Sequence, residues 1–92
     1  MNHNRKDLVL AKKVHVYING DKFFTGRVFV VHPKTTRTLD AFLIQLTDSL
    51  KPVFGAVRHL KSADGAVEVK SLDDLVSGAS YVGYGQKYQP FE

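Results

Sequence analysis

Four histidines, His3, His15, His32 and His59, and one adjacent acidic pair, Asp73-Asp74, are the side chains in this 92-residue sequence suited to proton transfer or metal ligation. Their spacing does not assemble a site. The histidines show no i,i+4 pair and no neighbouring carboxylate at ligand spacing. Adjacent helical residues point about 100° apart, so Asp73 and Asp74 cannot converge on one bond or ion; Asp73 is better suited to starting a helix. Gly83-Tyr84-Gly85 precedes no helix whose N-terminal amides could receive a phosphate. No Gly-x-Ser-x-Gly segment and no Ser-His-acid arrangement is found. Cysteine is absent, which removes thiolate nucleophiles, thiolate metal sites and disulfides. The sequence therefore argues for no enzyme, no cofactor and no metal.

The basic side chains carry the stronger signal. Net charge is +4, but it is unevenly placed. Residues 1 to 37 hold eight Lys/Arg against two Asp, a balance of +6, and residues 38 to 92 hold five against seven, a balance of −2. Such asymmetry favours an acidic partner for one face: nucleic acid, an anionic membrane or an acidic protein. Tyr17, Phe23 and Phe24 lie beside lysines and could stack bases, but residues 39 to 50 contain neither Lys nor Arg, so no basic recognition helix exists. The same neutral-to-acidic helix is wrong for a membrane surface. The longest apolar runs, such as Val28-Phe29-Val30-Val31, fall far short of a span, and MNHNRKDLVLA lacks a signal peptide's apolar stretch. An acidic protein surface fits best. The absence of cysteine suits a reducing, cytosolic setting.

Periodicity predicts the elements that position these charges. Val14, Val16 and Ile18 alternate, which predicts a strand over about 12 to 18, ended by an Asn19-Gly20-Asp21 turn. Phe23 and Phe24 sit in the following loop, where they shape it while the lysines bind. Gly26 precedes a second strand over 27 to 32, which Pro33 stops. Thr38 is the expected N-cap of a helix, with Asp40 in its first turn. Leu39, Phe42, Leu43, Leu46 and Leu50 draw one apolar stripe, and Lys51-Pro52 closes it. A strand from Gly55 through Val57 to Leu60, an Asp64-Gly65 turn and a short strand with Val67 and Val69 follow. Ser71 to Leu75 reads as a helical turn stopped at Gly78, and Ser80 to Tyr84 as the last strand. One amphipathic helix across a mixed sheet of four or five strands is an α+β roll, in the order of the ubiquitin-like β-grasp. Ninety-two residues make one domain.

Five stretches in register resemble the doublecortin domain family. KKVHVYINGDKFFTG resembles its first strand, RTLDAFLIQLTDSL its helix, GAVRHL its Gly-Val-Arg strand, DGAVEVKSLDDL its turn and short helix, and SGASYV its last strand. The last helical turn holds Asp48 where the family often has a basic residue, and Gly55-Ala56-Val57-Arg58 is one residue longer than Gly-Val-Arg. The resemblance covers roughly residues 12 to 85 and divides the chain into an arm (1–11), a domain (12–88) and a tail (89–92). It implies a β-grasp domain that binds microtubules between protofilaments, in the cytoplasm on the cytoskeleton, with acidic tubulin as partner. It implies a monomer, part of a longer chain, with no nucleic acid or membrane partner. By position, Lys12, Lys13, Lys34, Arg37 and Lys51 would make the contact, with Lys22, Arg27, Arg58 and Lys61 secondary. Lys70 is expected beside the acidic turn, away from the contact. The alternative is a generic ubiquitin-like interaction module of the PB1 or Ras-association type, using Lys12 and Lys13 against an acidic partner.

Overall fold

Period-two patterning builds the strand on which the sheet is laid. In β1, Lys12–Ile18, the side chains of Val14, Val16 and Ile18 are buried on one face, while Lys13, His15 and Tyr17 take the other. The computed structural model describes residues 11–19 and 26–86. Within it, β2 (Arg27–Val31) pairs antiparallel with β1 and turns Phe29 and Val31 to the same inner face. Gly26, at φ 86°, lies so close to β1 that a Cβ there would collide with the His15 ring. After Val31 the main chain turns tightly, with Thr35 N–H and Thr36 N–H both donating to the His32 carbonyl, at 3.0 and 2.8 Å.

Helix α1, Leu39–Leu50, starts where Thr38 Oγ1 accepts from Ala41 N–H at 3.1 Å. It ends at Lys51, which adopts the left-handed region (φ 46°) and donates its N–H to Thr47 O at 2.9 Å. Phe42, Leu43 and Leu46 are its buried stripe, with Leu39 and Leu50 packed at the margins. Phe42 meets Phe29 edge to face at 6.1 Å, so the helix sits on the inner side of the sheet.

The remaining elements are β3 (His59–Ser62), β4 (Glu68–Val69), a 3-10 turn (Leu72–Asp74) and β5 (Ser80–Tyr84). Sheet order is β2-β1-β5-β3-β4, with β1 and β5 parallel and every other pair antiparallel. This is the mixed five-stranded sheet of the expected ubiquitin-like α+β fold.

Three local differences from the sequence reading have physical causes. The third strand begins at His59, not near Gly55, which lies in a turn at φ 103°. Val57 is apolar because it fills the core, but its N–H bonds Thr47 Oγ1 at 2.9 Å, so it belongs to the crossover and not to a ladder. The short helix is a 3-10 turn that ends at Leu75 and not at Gly78. Its start is held by Asp74 and not Asp73, since Asp74 Oδ2 accepts from Lys70 N–H (2.8 Å) and Ser71 N–H (3.2 Å). Lys22, Phe23, Phe24, most of the N-terminal arm and the C-terminal tail lie outside the described residues.

Leu46 is fully buried between sheet and helix. Leu46→Ala should cost roughly 2–5 kcal/mol in urea unfolding, and an unchanged midpoint would remove α1 from the core. Acid should act at the β3–β4 turn, where Ser62 Oγ donates to Asp64 Oδ1 (2.6 Å) and Ala66 N–H does so at 3.0 Å. The Ser62 bond, then the Ala66 bond, hold the Asp64 carboxyl below its ordinary range. A depressed folded pKa gives stability above the unfolded value that is lost as pH falls through the folded one. The melting-temperature gap between wild type and Asp64→Asn should therefore narrow from neutral pH to about pH 3; a constant gap would show that the charge is not what holds the turn.

Candidate functional site

The inner face of the sheet is core, so the charged residues occupy the rims and the outer face. Lys34 and Arg37 are exposed on the link between β2 and α1. That link is built rather than loose. Lys34 N–H donates to His32 Nδ1 at 3.1 Å, and Thr36 is buried, its hydroxyl facing Gln45 Oε1 at 3.5 Å. Pinning on both sides of Lys34 presents it and Arg37 on a defined backbone.

Lys12 is half-buried, and its ammonium donates to Leu72 O at 2.9 Å. The aliphatic stem and the bond together tie β1 to the 3-10 turn. Lys13, one residue on, points to the outer face and is exposed. Lys51 stands at the far end of α1, about 18 Å along a 12-residue helix from Arg37 and Thr38. Arg27 belongs to that far end too, since one guanidinium nitrogen donates to Ser49 O at 3.1 Å. The expected set is therefore split: Lys12, Lys34 and Arg37 gather near the start of the helix, Arg27 and Lys51 near its end.

Lys70 joins the first group. It shares with Arg37 a shallow cleft of about 410 Å³ between the start of α1 and the 3-10 turn, lined also by Thr38, Asp40, Ser71 and Asp73. The sequence reading placed Lys70 away from the contact. What it lacked was the path of the chain after β4, which carries residues 70–74 back under the start of the helix. The only local signal was Asp74, whose carboxylate fixes the Lys70 amide.

The secondary residues fall elsewhere. Arg58 lines a second cleft with Asp40, Ile44 and Asp48, the last three one row along the helix at i, i+4 and i+8. Register places Lys61 opposite Glu68 on the outer face. That face also carries two ring stacks, His15 on Tyr17 (4.7 Å) and His59 on Tyr84 (5.1 Å). Tyr84 donates its hydroxyl to Glu68 Oε1 at 3.2 Å. Burial, and then the Glu68 charge, push that hydroxyl's pKa up. Among the described residues no three His, Cys, Asp or Glu side chains converge on a metal position. No described helix is long and apolar enough to cross a membrane.

The split roles of the lysines are measurable. Lys12→Met, which keeps the stem and loses the bond to Leu72 O, should lower stability by about 1 kcal/mol. Lys70→Ala, at an exposed position, should shift it by less than about 0.5 kcal/mol. Equal melting temperatures for both variants would show that the Lys12 tether contributes nothing.

Known proteins resemble this chain in sequence or in fold. The family model described as Doublecortin matches residues 30–90. "Doublecortin domain-containing protein 2" of Rattus norvegicus is 40% identical over 78 residues, covering 85% of this chain and 16% of that protein. "Serine/threonine-protein kinase DCLK2" of Rattus norvegicus is 44% identical over 75 residues, covering 78% of this chain and 10% of that protein. The chain thus spans less than a fifth of the length of these relatives. Among solved structures, "cell death-inducing DFFA-like effector c" superposes with a TM-score of 0.65 at 18% identity, covering 87% of this chain and 99% of that one, a likeness of fold alone.

Proposed function

The chain belongs to the doublecortin family, and from that premise we propose that it is a microtubule-binding domain whose basic rim docks on acidic tubulin. The observation that supports this reading most directly is the pinned link between β2 and α1. Lys34 and Arg37 are exposed there on a backbone already held by His32 and Thr36, with Lys70 beside Arg37 across the cleft. Binding through a preorganised link costs less ordering entropy than binding through a loose one.

In this proposal Lys34, Arg37 and Lys70 form the primary contact, with Lys13 on the adjoining outer face. Lys12 shapes the site by holding the 3-10 turn against β1. Arg27 and Lys51, at the other end of the helix, reach a second point on the lattice if the long axis of α1 lies along the tubulin surface. A site between protofilaments suits such two-ended contact, because a groove offers acidic walls on both sides. Binding in this mode stabilises the lattice, in the cytoplasm on the microtubule cytoskeleton. The domain itself carries out no catalysis in this reading. The alternative, a ubiquitin-like module of the PB1 or Ras-association type, sets Lys12 and Lys13 against another acidic partner.

Co-sedimentation with polymerised microtubules tests the proposal, with unpolymerised tubulin as the comparison. Lys34→Ala/Arg37→Ala should reduce binding by about tenfold or more, a loss of about 1.4 kcal/mol. A charge-matched control is Ala63→Glu/Ala66→Glu, on the exposed β3–β4 turn, which changes net charge by the same two units. Binding should survive the control and weaken with salt, because exposed charges are screened beyond about 8–10 Å at physiological ionic strength. Equal losses in both variants would mean that only net charge matters. Failure of the wild-type domain to pellet with microtubules at any salt would remove the reading.

A further inference from the structure

We infer that the edge of β2 that no described strand pairs is a self-pairing surface, through which two copies of this domain join their sheets antiparallel about a two-fold axis at Phe29. The two edges of the sheet are unlike. β4 is only Glu68–Val69, short and carrying an exposed charge, the ordinary ways in which an edge is blunted. β2 is five residues long, carries exposed valines at 28 and 30, and meets no proline until Pro33. Its single cation, Arg27, is turned across to Ser49 O.

Hydrogen-bond parity shows which groups the edge offers. His15 N–H donates to Ala79 O and Lys13 O accepts from Gly78 N–H, so the odd positions of β1 face β5. The even positions, Lys12, Val14 and Val16, therefore face β2, opposite Val31, Phe29 and Arg27. The intervening residues, Val28 and Val30, aim their N–H and C=O groups outward. No hydrogen bond satisfies those groups among the described residues.

The same two residues are self-complementary. A two-fold axis through Phe29 sets Val28 opposite Val30 of the second copy on either side, and each such pair exchanges both main-chain bonds. Arg27 falls opposite Val31, so no like charges meet. The outer-face valines, 47% and 60% exposed, become cross-strand pairs. An edge of this length buries less than the roughly 1,200–2,000 Å² of a stable interface, so the association is a weak one. It replaces the monomer expected from the sequence and is independent of the lattice contact. Salt separates the two: a net charge of +4 per copy opposes self-pairing, so salt strengthens it while weakening an acidic contact.

Sedimentation equilibrium of the whole chain, up to about 1 mM, reads the proposal directly. The weight-average mass should rise with concentration toward twice the monomer mass, more so at higher salt. Val28→Lys/Val30→Lys sets like charges opposite each other and should weaken association by about tenfold or more. Val28→Lys/Val30→Glu sets opposite charges across both pairs and should restore it. Both variants leave exposed positions exposed, and near-UV circular dichroism confirms that each is folded. A wild-type chain monomeric throughout would overturn the inference and leave the edge to a strand of another protein. So would dimerisation unaffected by the double-lysine variant, or equal losses in both variants. Self-association that falls with salt would instead place the contact between basic and acidic faces, and would equally overturn it.

Discussion

The parallel pairing of β1 with β5 is the constraint on which the rest of the structure depends. His15 aligns with Ser80 and Ile18 with Gly83, so the first and last strands of the sheet lie side by side at its centre. A parallel pair cannot be closed by a tight turn and needs a crossover. The connection from Ile18 to Ser80 is that crossover; β2 lies beside β1, and the part after it must cover the inner face while it returns. Helix α1 does most of the covering, and Val57, Leu60, Val69 and Leu75 complete it from the second half. At Gly83 the fit is tight, since a Cβ there would stand 3.0 Å from Val57 Cγ1 and the valine would have to give by a few tenths of an ångström. The glycine answers to packing and not to backbone conformation.

That constraint also decides where charge can go. The crossover helix runs without a single Lys or Arg, and its exposed row carries Asp40 and Asp48. Cations are consequently displaced to the connections at its two ends and to the strand rims. The asymmetry visible in the sequence, +6 in residues 1–37 against −2 in the rest, becomes a spatial one only in part. Lys70 comes from the acidic half yet stands beside Arg37, and Arg58, also from that half, stands among the helix aspartates. Charge along the chain is a poor guide to the membership of a face.

What was legible in the sequence was what local physics sets. Alternation gave β1, and the Thr38 cap with the stripe at Phe42, Leu43 and Leu46 gave the helix to the residue, because capping and periodicity are written within a few positions. What was not legible depended on partners distant in sequence. β3 starts at His59 because β5 is opposite it there, and Val57 looks like a strand residue only because it is apolar. Lys12 reads as a surface cation until the 3-10 turn, sixty residues away, brings the Leu72 carbonyl within 2.9 Å. Periodicity and turn signals set out the order of the elements and the family resemblance carried the basic positions, but a residue-by-residue match cannot tell a tether from a contact.

The distinction between tether and contact explains how a domain this small holds a defined basic surface. An exposed lysine on a mobile loop surrenders side-chain and backbone freedom together when it binds, at about 1–2 kcal/mol for each ordered backbone residue. Here folding has already ordered the backbone. Lys12 draws the 3-10 turn against β1, Asp74 holds the Lys70 amide, His32 holds the Lys34 amide, and buried Thr36 seats the link between the two cationic positions. Each bond is modest, and each adds to the stability that the β1–β5 sheet supplies. The side chains of Arg37 and Lys70 stand exposed on that ordered backbone. In the contact proposed above, a basic rim of this kind gains affinity from rigidity behind the charge as well as from the charge itself, so its supporting residues belong to the proposed site without touching what binds there.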